Sequence, residues 1–248
     1  MSERQRIDQL LVSTGRFDSR ARARAAIEAG LVQAAGRVVK KPSETFAPDV
    51  AIEAQAPYPW VSRAGVKLAA ALDAFAIDPS GALCLDVGSS TGGFTQVLLV
   101  RGAANVYAVD VGRDQLHATL RADPRVISLE GQDARTLDAS MLKAPPTSVV
   151  CDASFISLKL ILPAVLPLAA PGAILVALIK PQFEAGRENI GKGGIVRDEA
   201  IHARVCDEIV SLVQQMNWRL QGVQPSPIEG GDGNKEFLMC AHKRGETS

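Results

Sequence analysis

Four charged residues, spread along the chain, each sit in a short distinctive segment. They are Lys67 in Arg63-Ala64-Gly65-Val66-Lys67, Asp152 in Cys151-Asp152-Ala153-Ser154, Lys180 in Ile179-Lys180-Pro181 and Glu236 in Asn234-Lys235-Glu236-Phe237. Two lysines and two carboxylates around one pocket suit methyl transfer to a ribose 2′-hydroxyl. That hydroxyl is a weak nucleophile at neutral pH, and it must shed its proton while oxygen, methyl carbon and sulfur come into line. A lysine can stabilise the developing alkoxide as a cation, or accept the proton if its pKa is lowered. Opposite charges beside Lys180 could orient and tune it. Taken singly, Lys67 could be a surface helix residue and Glu236 an edge-strand charge. Asp152 and Lys180 fit that bland role less well, because each interrupts an apolar run at a predicted strand end.

Between the first two segments lies Leu85-Asp86-Val87-Gly88-Ser89-Ser90-Thr91-Gly92-Gly93-Phe94, a strand running into a glycine turn. Gly88 and Gly93 match the first and third glycines of a dinucleotide fingerprint, but Ser90 replaces the second. Close approach of a pyrophosphate is therefore disfavoured, whereas S-adenosylmethionine has no phosphate to accommodate. Asp86 would lie near the ammonium of the cofactor's methionine tail. Asp110, twenty-two residues after Gly88, could accept both ribose hydroxyls, and Asp133 could face the adenine amino group. Any one of these aspartates could simply cap a following helix. Three at successive strand ends point to an adenosyl cofactor held by Asp86, Gly88, Ser89, Ser90, Gly92, Gly93, Phe94, Asp110 and Asp133.

Alternating elements are needed to place these residues. Strands are predicted at 82–87, 104–110, 125–129, 147–152, 173–180, 218–224 and 235–242, with helices at 93–101, 113–122, 155–169 and 198–217. Such alternation implies a parallel, doubly wound sheet. Only a Pro/Gly-rich loop, 225–234, joins the last two strands, too short for a crossover helix, so the last strand should run antiparallel to its neighbours. Ser62 is expected to cap a helix carrying Arg63 and Lys67 one turn apart. Phe155 could stack on a flipped base or, as the commoner fate, lie in the core. The glycine-rich segment 183–197 reads equally as a mobile lid touching RNA or as a solvated loop.

The first 54 residues read as a separate α+β module: a helix ending near Gly15, a second from Asp18 or Ser19 to Gly30, a hairpin over 31–39, and a further strand near Val50-Ala51-Ile52. Overall charge cancels, at 27 basic against 27 acidic residues. Residues 1–41, however, carry nine Lys or Arg against four acids, a local charge of +5. That suggests polyanion binding, with Arg6, Arg20, Arg24, Lys40, Lys41 and, beside Lys67, Arg63 as candidates. A solvated helix face is the alternative, and Arg20, Arg22 and Arg24 alternate, so they cannot all share one face. Two prolines stiffen a linker at 55–61.

The four cysteines form no C-x-x-C pair and read as buried free thiols in a reducing compartment. The longest apolar run, Ala173 to Ile179, is far too short for a bilayer, and the N-terminus has no signal-peptide core. A cytoplasmic protein is expected, with no metal and no membrane partner.

Residues 1–54 resemble the S4 RNA-binding domain in Arg6-Ile7-Asp8-Gln9-Leu10-Leu11, Ser19-Arg20, Ala29-Gly30-Leu31-Val32 and Gly36-Arg37-Val38-Val39-Lys40-Lys41-Pro42-Ser43, departing at the hairpin turn, where Ala35 replaces a polar residue. With the four charged segments, nearly the whole chain resembles the hemolysin A (TlyA) family of ribosomal RNA methyltransferases. The resemblance implies an α/β fold: a small S4-like α+β domain at 1–54, a linker at 55–61, and a Rossmann-like seven-stranded methyltransferase domain at 62–248. It also implies S-adenosylmethionine as cofactor, Lys67, Asp152, Lys180 and Glu236 as a catalytic tetrad, and 2′-O-methylation of cytidine in ribosomal RNA of assembled subunits. Two other classes compete: a non-catalytic RNA-binding or ribosome-assembly protein, and a membrane-active hemolysin. The second has little physical support, since no membrane span, strongly amphipathic cationic helix or secretion signal is visible.

Overall fold

The computed structural model describes residues 4–230 and 233–245. It divides into two compact units, Met1–Pro59 and Trp60–Ser248, so the boundary falls inside the proline-containing segment 55–61.

The first unit contains β1 (Gln5–Arg6), α1 (Ile7–Ser13), α2 (Arg20–Glu28), β2 (Val32–Ala34), β3 (Arg37–Val38), β4 (Thr45–Phe46) and β5 (Ile52–Ala54). Ser19 caps α2 by accepting from the Arg22 amide at 3.3 Å. Gly30, at φ +73°, ends the helix, with the Leu31 amide donating back to the Ala26 carbonyl. The hairpin β2–β3 turns through Ala35 and Gly36, both at positive φ. β5 adds antiparallel to the other side of β2. Ile7, Leu10, Leu11, Phe17, Ala26, Ile27, Val32 and Phe46 make one core.

The second unit contains α3 (Ala64–Ala74), β6 (Leu83–Val87), α4 (Gly93–Val100), β7 (Asn105–Asp110), α5 (Ala118–Arg121), β8 (Val126–Glu130), β9 (Ser148–Cys151), α6 (Leu158–Val165), β10 (Ile174–Ile179), α7 (Pro181–Glu184), α8 (Glu199–Gln215), β11 (Trp218–Pro225) and β12 (Phe237–Lys243). One seven-stranded sheet runs β11-β12-β10-β9-β6-β7-β8. All neighbours are parallel except β12, which is antiparallel to both β10 and β11. Because successive strand residues face opposite ways, Leu85 and Val87 join one core with α6 and α8, while Cys84 joins another with α3 and α4. Burial on both faces explains the unbroken apolar run of β10 and that of Val149 to Cys151 in β9. All four cysteines are free thiols.

Three helical expectations need correction. The helix expected over 113–122 shrinks to α5. Its first amides are taken by a side chain instead: Gln115 and Leu116 N–H both donate to Glu130 Oε1, and Asp114 adopts φ +56°. The helix expected from 155 starts at Leu158, because Phe155 adopts φ +64° and Ser157 caps α6 by accepting from the Lys159 amide. Ser62 does not cap α3; Arg63 occupies that position without a side-chain bond. Ser62 instead packs on Gly93, where a Cβ would lie 2.2 Å from its Oγ.

Candidate active site

In a sheet of this topology, ligands bind in the crevice beyond the carboxyl ends of the strands where the strand order reverses. Here that place lies beyond β6, β7 and β9, where a cavity of about 370 Å³ opens, lined by Gly88, Ser90, Asp110, Asp133, Asp152 and neighbours. Gly88 adopts φ +81°, and a Cβ there would come within 2.9 Å of Ala153 Cα; only glycine lets this turn pass the segment after β9. Ser90 and Gly112 amides donate to the two oxygens of Asp110 at 2.8 and 2.7 Å. They fix the carboxylate at the cavity wall, with lone pairs remaining for a diol.

Asp86 lies elsewhere than expected. It is fully buried between β6 and the first turn of α4, not on the cavity wall. Its Oδ2 accepts from Thr95 Oγ1 at 2.6 Å, while Oδ1 has no partner. Burial pushes its carboxyl up to about 7. The Ser89 hydroxyl nearby in the chain is likewise buried and unpartnered. Buried polar atoms are almost always satisfied, so these two orphans single out the glycine turn.

Gly92, Gly93 and Phe94 do not line the cavity. Gly92, at φ +94°, opens α4, and a Cβ on it would strike Leu120 and Leu116; Gly93 makes room for Ser62; Phe94 is 2% exposed in the core with α3. Packing between helices accounts for these three residue types. Asp133 lines the cavity, but its carboxylate is held by Arg135, whose Nη2 lies 2.6 Å away and whose amide it caps. The capping role that any of the three aspartates could have had is realised here.

Three of the four charged residues sit at the ends of adjacent strands, and Lys67 comes from α3. Lys180 and Glu236 lie one step beyond the paired Ile179 and Phe237 of β10 and β12, and Asp152 directly follows β9. They meet as two ion pairs. Lys67, from α3, and Glu236 form a buried pair, at 7% and 4% exposure. Lys180 Nζ lies 2.6 Å from Asp152 Oδ1, outside hydrogen-bond alignment, and donates to Ser154 Oγ at 2.8 Å and the Asp152 carbonyl at 3.2 Å.

Ser154 thus joins the cluster. It belongs to a segment the sequence singles out, yet its spacing alone assigns it no role. Phe155 is 92% exposed, against the expectation of a core position, and its ring lies 5.3 Å from that of Phe183. Behind it, Glu184 accepts from Ser157 Oγ and the Leu158 amide, tying α7 to the start of α6.

The basic candidates divide. Arg6, Arg20 and Arg24 converge on Asp8, whereas Arg22 turns to Asp18 and the Tyr58 carbonyl. Lys40 and Lys41 are exposed, their amides bonded to Glu44. Arg63 is exposed and donates to the Glu229 carbonyl at 2.7 Å.

Comparison with known proteins identifies both units. Residues 60–243 match the FtsJ-like methyltransferase family, and residues 5–52 the S4 domain. The chain is 44% identical to a 16S/23S rRNA (cytidine-2′-O)-methyltransferase TlyA of Mycobacterium tuberculosis, over 96% of this chain and 90% of that one. It is 38% identical to hemolysin A of Brachyspira hyodysenteriae, over 94% and 98%. A solved structure described as a candidate hemolysin from Streptococcus thermophilus superposes with a TM-score of 0.79 at 40% identity, covering 98% of this chain and 90% of that one. The chain belongs to the FtsJ-like methyltransferase family, in the S4-domain group that includes TlyA and hemolysin A.

Proposed function

We propose that the chain methylates the ribose 2′-hydroxyl of a cytidine in ribosomal RNA, acting on assembled subunits in the cytoplasm. The cofactor is S-adenosylmethionine, which supplies a methyl group on a sulfonium and departs as a neutral thioether. Gly88 leaves room for the adenosyl group, and the fixed Asp110 carboxylate accepts from its ribose hydroxyls. No step needs a phosphate at the Ser90 turn.

The acceptor oxygen is served from the opposite side of the crevice. Asp152 and Ser154 aim Lys180 Nζ, which as a cation holds the oxygen while its charge develops or, having first released its own proton to solvent, takes the 2′-hydroxyl proton as a neutral amine. Lys67 and Glu236, buried and neutral as a pair, hold the end of the neighbouring strand β12. Phe155, exposed beside the cavity, offers a ring face to a base turned out of its stack. The S4 unit supplies affinity and register through phosphate contacts rather than sequence reading. Among the described residues, no helix is long and apolar enough to cross a membrane.

The observation that carries this reading is Lys180, fixed by two neighbours at a strand end beside the cavity. Lys180→Ala should lower methyl transfer by roughly 10²–10³-fold with cofactor affinity intact. Lys180→Arg keeps the charge but cannot readily give up a proton. If it fails like alanine, proton acceptance is the role; if it retains partial activity, charge stabilisation is. Near-normal turnover of Lys180→Ala, measured with labelled methyl donor on ribosomal subunits, would remove the lysine from the mechanism.

A further inference from the structure

Asp8 is an acid in the middle of the most basic stretch of the chain, and it is wholly closed off from solvent. Its place in the first turn of α1 would suit a carboxylate at any helix start. Three guanidinium groups on one carboxylate go beyond that. Arg6 grips it with two bonds, Nε to Oδ1 at 3.0 Å and Nη2 to Oδ2 at 3.1 Å. Arg20 Nη2 donates to Oδ2 at 3.0 Å, and Arg24 Nε stands 3.6 Å from the same oxygen. Arg20 and Arg24 are one helical turn apart on α2, while Arg6 arrives from β1. The arginines hold the carboxyl at about 2, so it stays charged at any working pH.

We propose that Asp8 is a positioning residue that gathers Arg6, Arg20 and Arg24 into one fixed clamp for a backbone phosphate of RNA. The inference rests on the RNA-directed reading above and adds a site to it. Three cations and one anion leave a net charge of +2. Each guanidinium carries five N–H groups and spends at most two on Asp8. The side chains remain 37%, 51% and 53% exposed, so the unspent donors face water. The charged oxygens of a phosphate diester accept guanidinium forks, and their repeat along an RNA backbone suits a clamp of net charge +2. Holding the arginines in advance spares much of the rotamer entropy that free surface arginines lose on binding.

This predicts an inversion that charge alone does not. Asp8→Asn preserves the shape but removes a negative charge, so simple attraction would tighten RNA binding. Its amide nitrogen donates rather than accepts, so the two-bond grip of Arg6 fails and the clamp loosens. Binding of the full chain to a labelled A-form RNA duplex should weaken roughly tenfold. In an Arg20→Gln background the same change should cost clearly less, because Asp8 acts partly through Arg20. Melting of the S4-like unit and calorimetric affinity for S-adenosylmethionine serve as controls for folding. Should Asp8→Asn unfold that unit, Arg20→Lys carries the test, since it keeps the charge and gives up the fork; severalfold weaker binding is expected. Equal or tighter RNA binding by the folded variants would overturn the clamp. Equally tight binding of polyglutamate would overturn its assignment to phosphate. A parent protein that binds no RNA would remove the reading on which the clamp rests.

Discussion

Asp8 and Asp86 are both fully buried carboxylates, one in each unit, and their surroundings push them in opposite directions. Asp8 is covered by cations and held at about 2; Asp86 is covered by the core and raised to about 7, with one hydroxyl partner and one open oxygen. The same residue type therefore serves as a finished organising centre in the small unit and as an unfinished one in the large unit. A carboxylate whose partners are all in place fixes geometry for something that binds its partners. One with an oxygen left over keeps the capacity to accept one more hydrogen bond.

The sharpest way to break this contrast lies in the large unit's own finished pair, Lys67 with Glu236. Breaking a buried pair leaves one charge without compensation, at a cost of about 3–5 kcal/mol, whereas replacing both with apolar residues is often neutral. Glu236→Leu should therefore lower stability by that amount, and Lys67→Met with Glu236→Leu should recover most of it. Chemical denaturation measures both. If the single change costs less than about 1 kcal/mol, the pair is behaving as a solvated one.

A smaller effect sharpens the contrast through pH. Asp86 is protonated up to about pH 7 in the folded chain but only to about 4 when unfolded. The unfolded chain thus binds fewer protons in that window, and stability contributed by this group falls as pH rises from about 4 to about 7. Asp8 has the opposite sign: its contribution is complete above pH 4 and is lost as pH falls towards 2. Asp86→Asn should flatten the upper window and leave the lower one unchanged. Saturating S-adenosylmethionine should also flatten it in the parent chain, if a ligand cation favours the charged form. An Asp86→Asn profile that still falls between pH 4 and 7 would mean that another group titrates there.

The strands were readable because a two-sided buried sheet demands unbroken apolar runs, and the reversal of β12 followed from a loop too short for a helix. Asp152 and Lys180 were readable as candidates because each interrupts such a run at its end. What could not be read depends on partners distant in sequence. Glu130 takes the amides that would have started a helix at 113. Leu116, Leu120 and Ser62 account for Gly92 and Gly93. Nothing local says that Phe155 turns outward, that Lys180 pairs with Asp152 rather than Glu236, or that arginines from β1 and α2 share Asp8.

The smallest expected effect concerns the hairpin turn of the S4-like unit. Ala35 sits at φ +51°, a conformation that glycine and asparagine adopt readily and that costs other L-residues roughly 1–2 kcal/mol. The side chain is exposed, so nothing is lost from the core on replacing it. Ala35→Asn should stabilise the unit by about 0.5–1 kcal/mol by relieving this cost without the extra chain freedom of glycine. Ala35→Val should do the reverse, since a β-branched residue is least tolerated at positive φ. For a unit of this size, 1 kcal/mol moves the melting temperature by roughly 4–8 °C, well within reach of calorimetry. Because the turn belongs to the unit organised by Asp8, affinity for S-adenosylmethionine should not change in either variant. A stabilised S4-like unit with altered cofactor affinity would show that the two units are energetically coupled. Two variants shifting stability the same way would show that backbone strain is not what Ala35 costs.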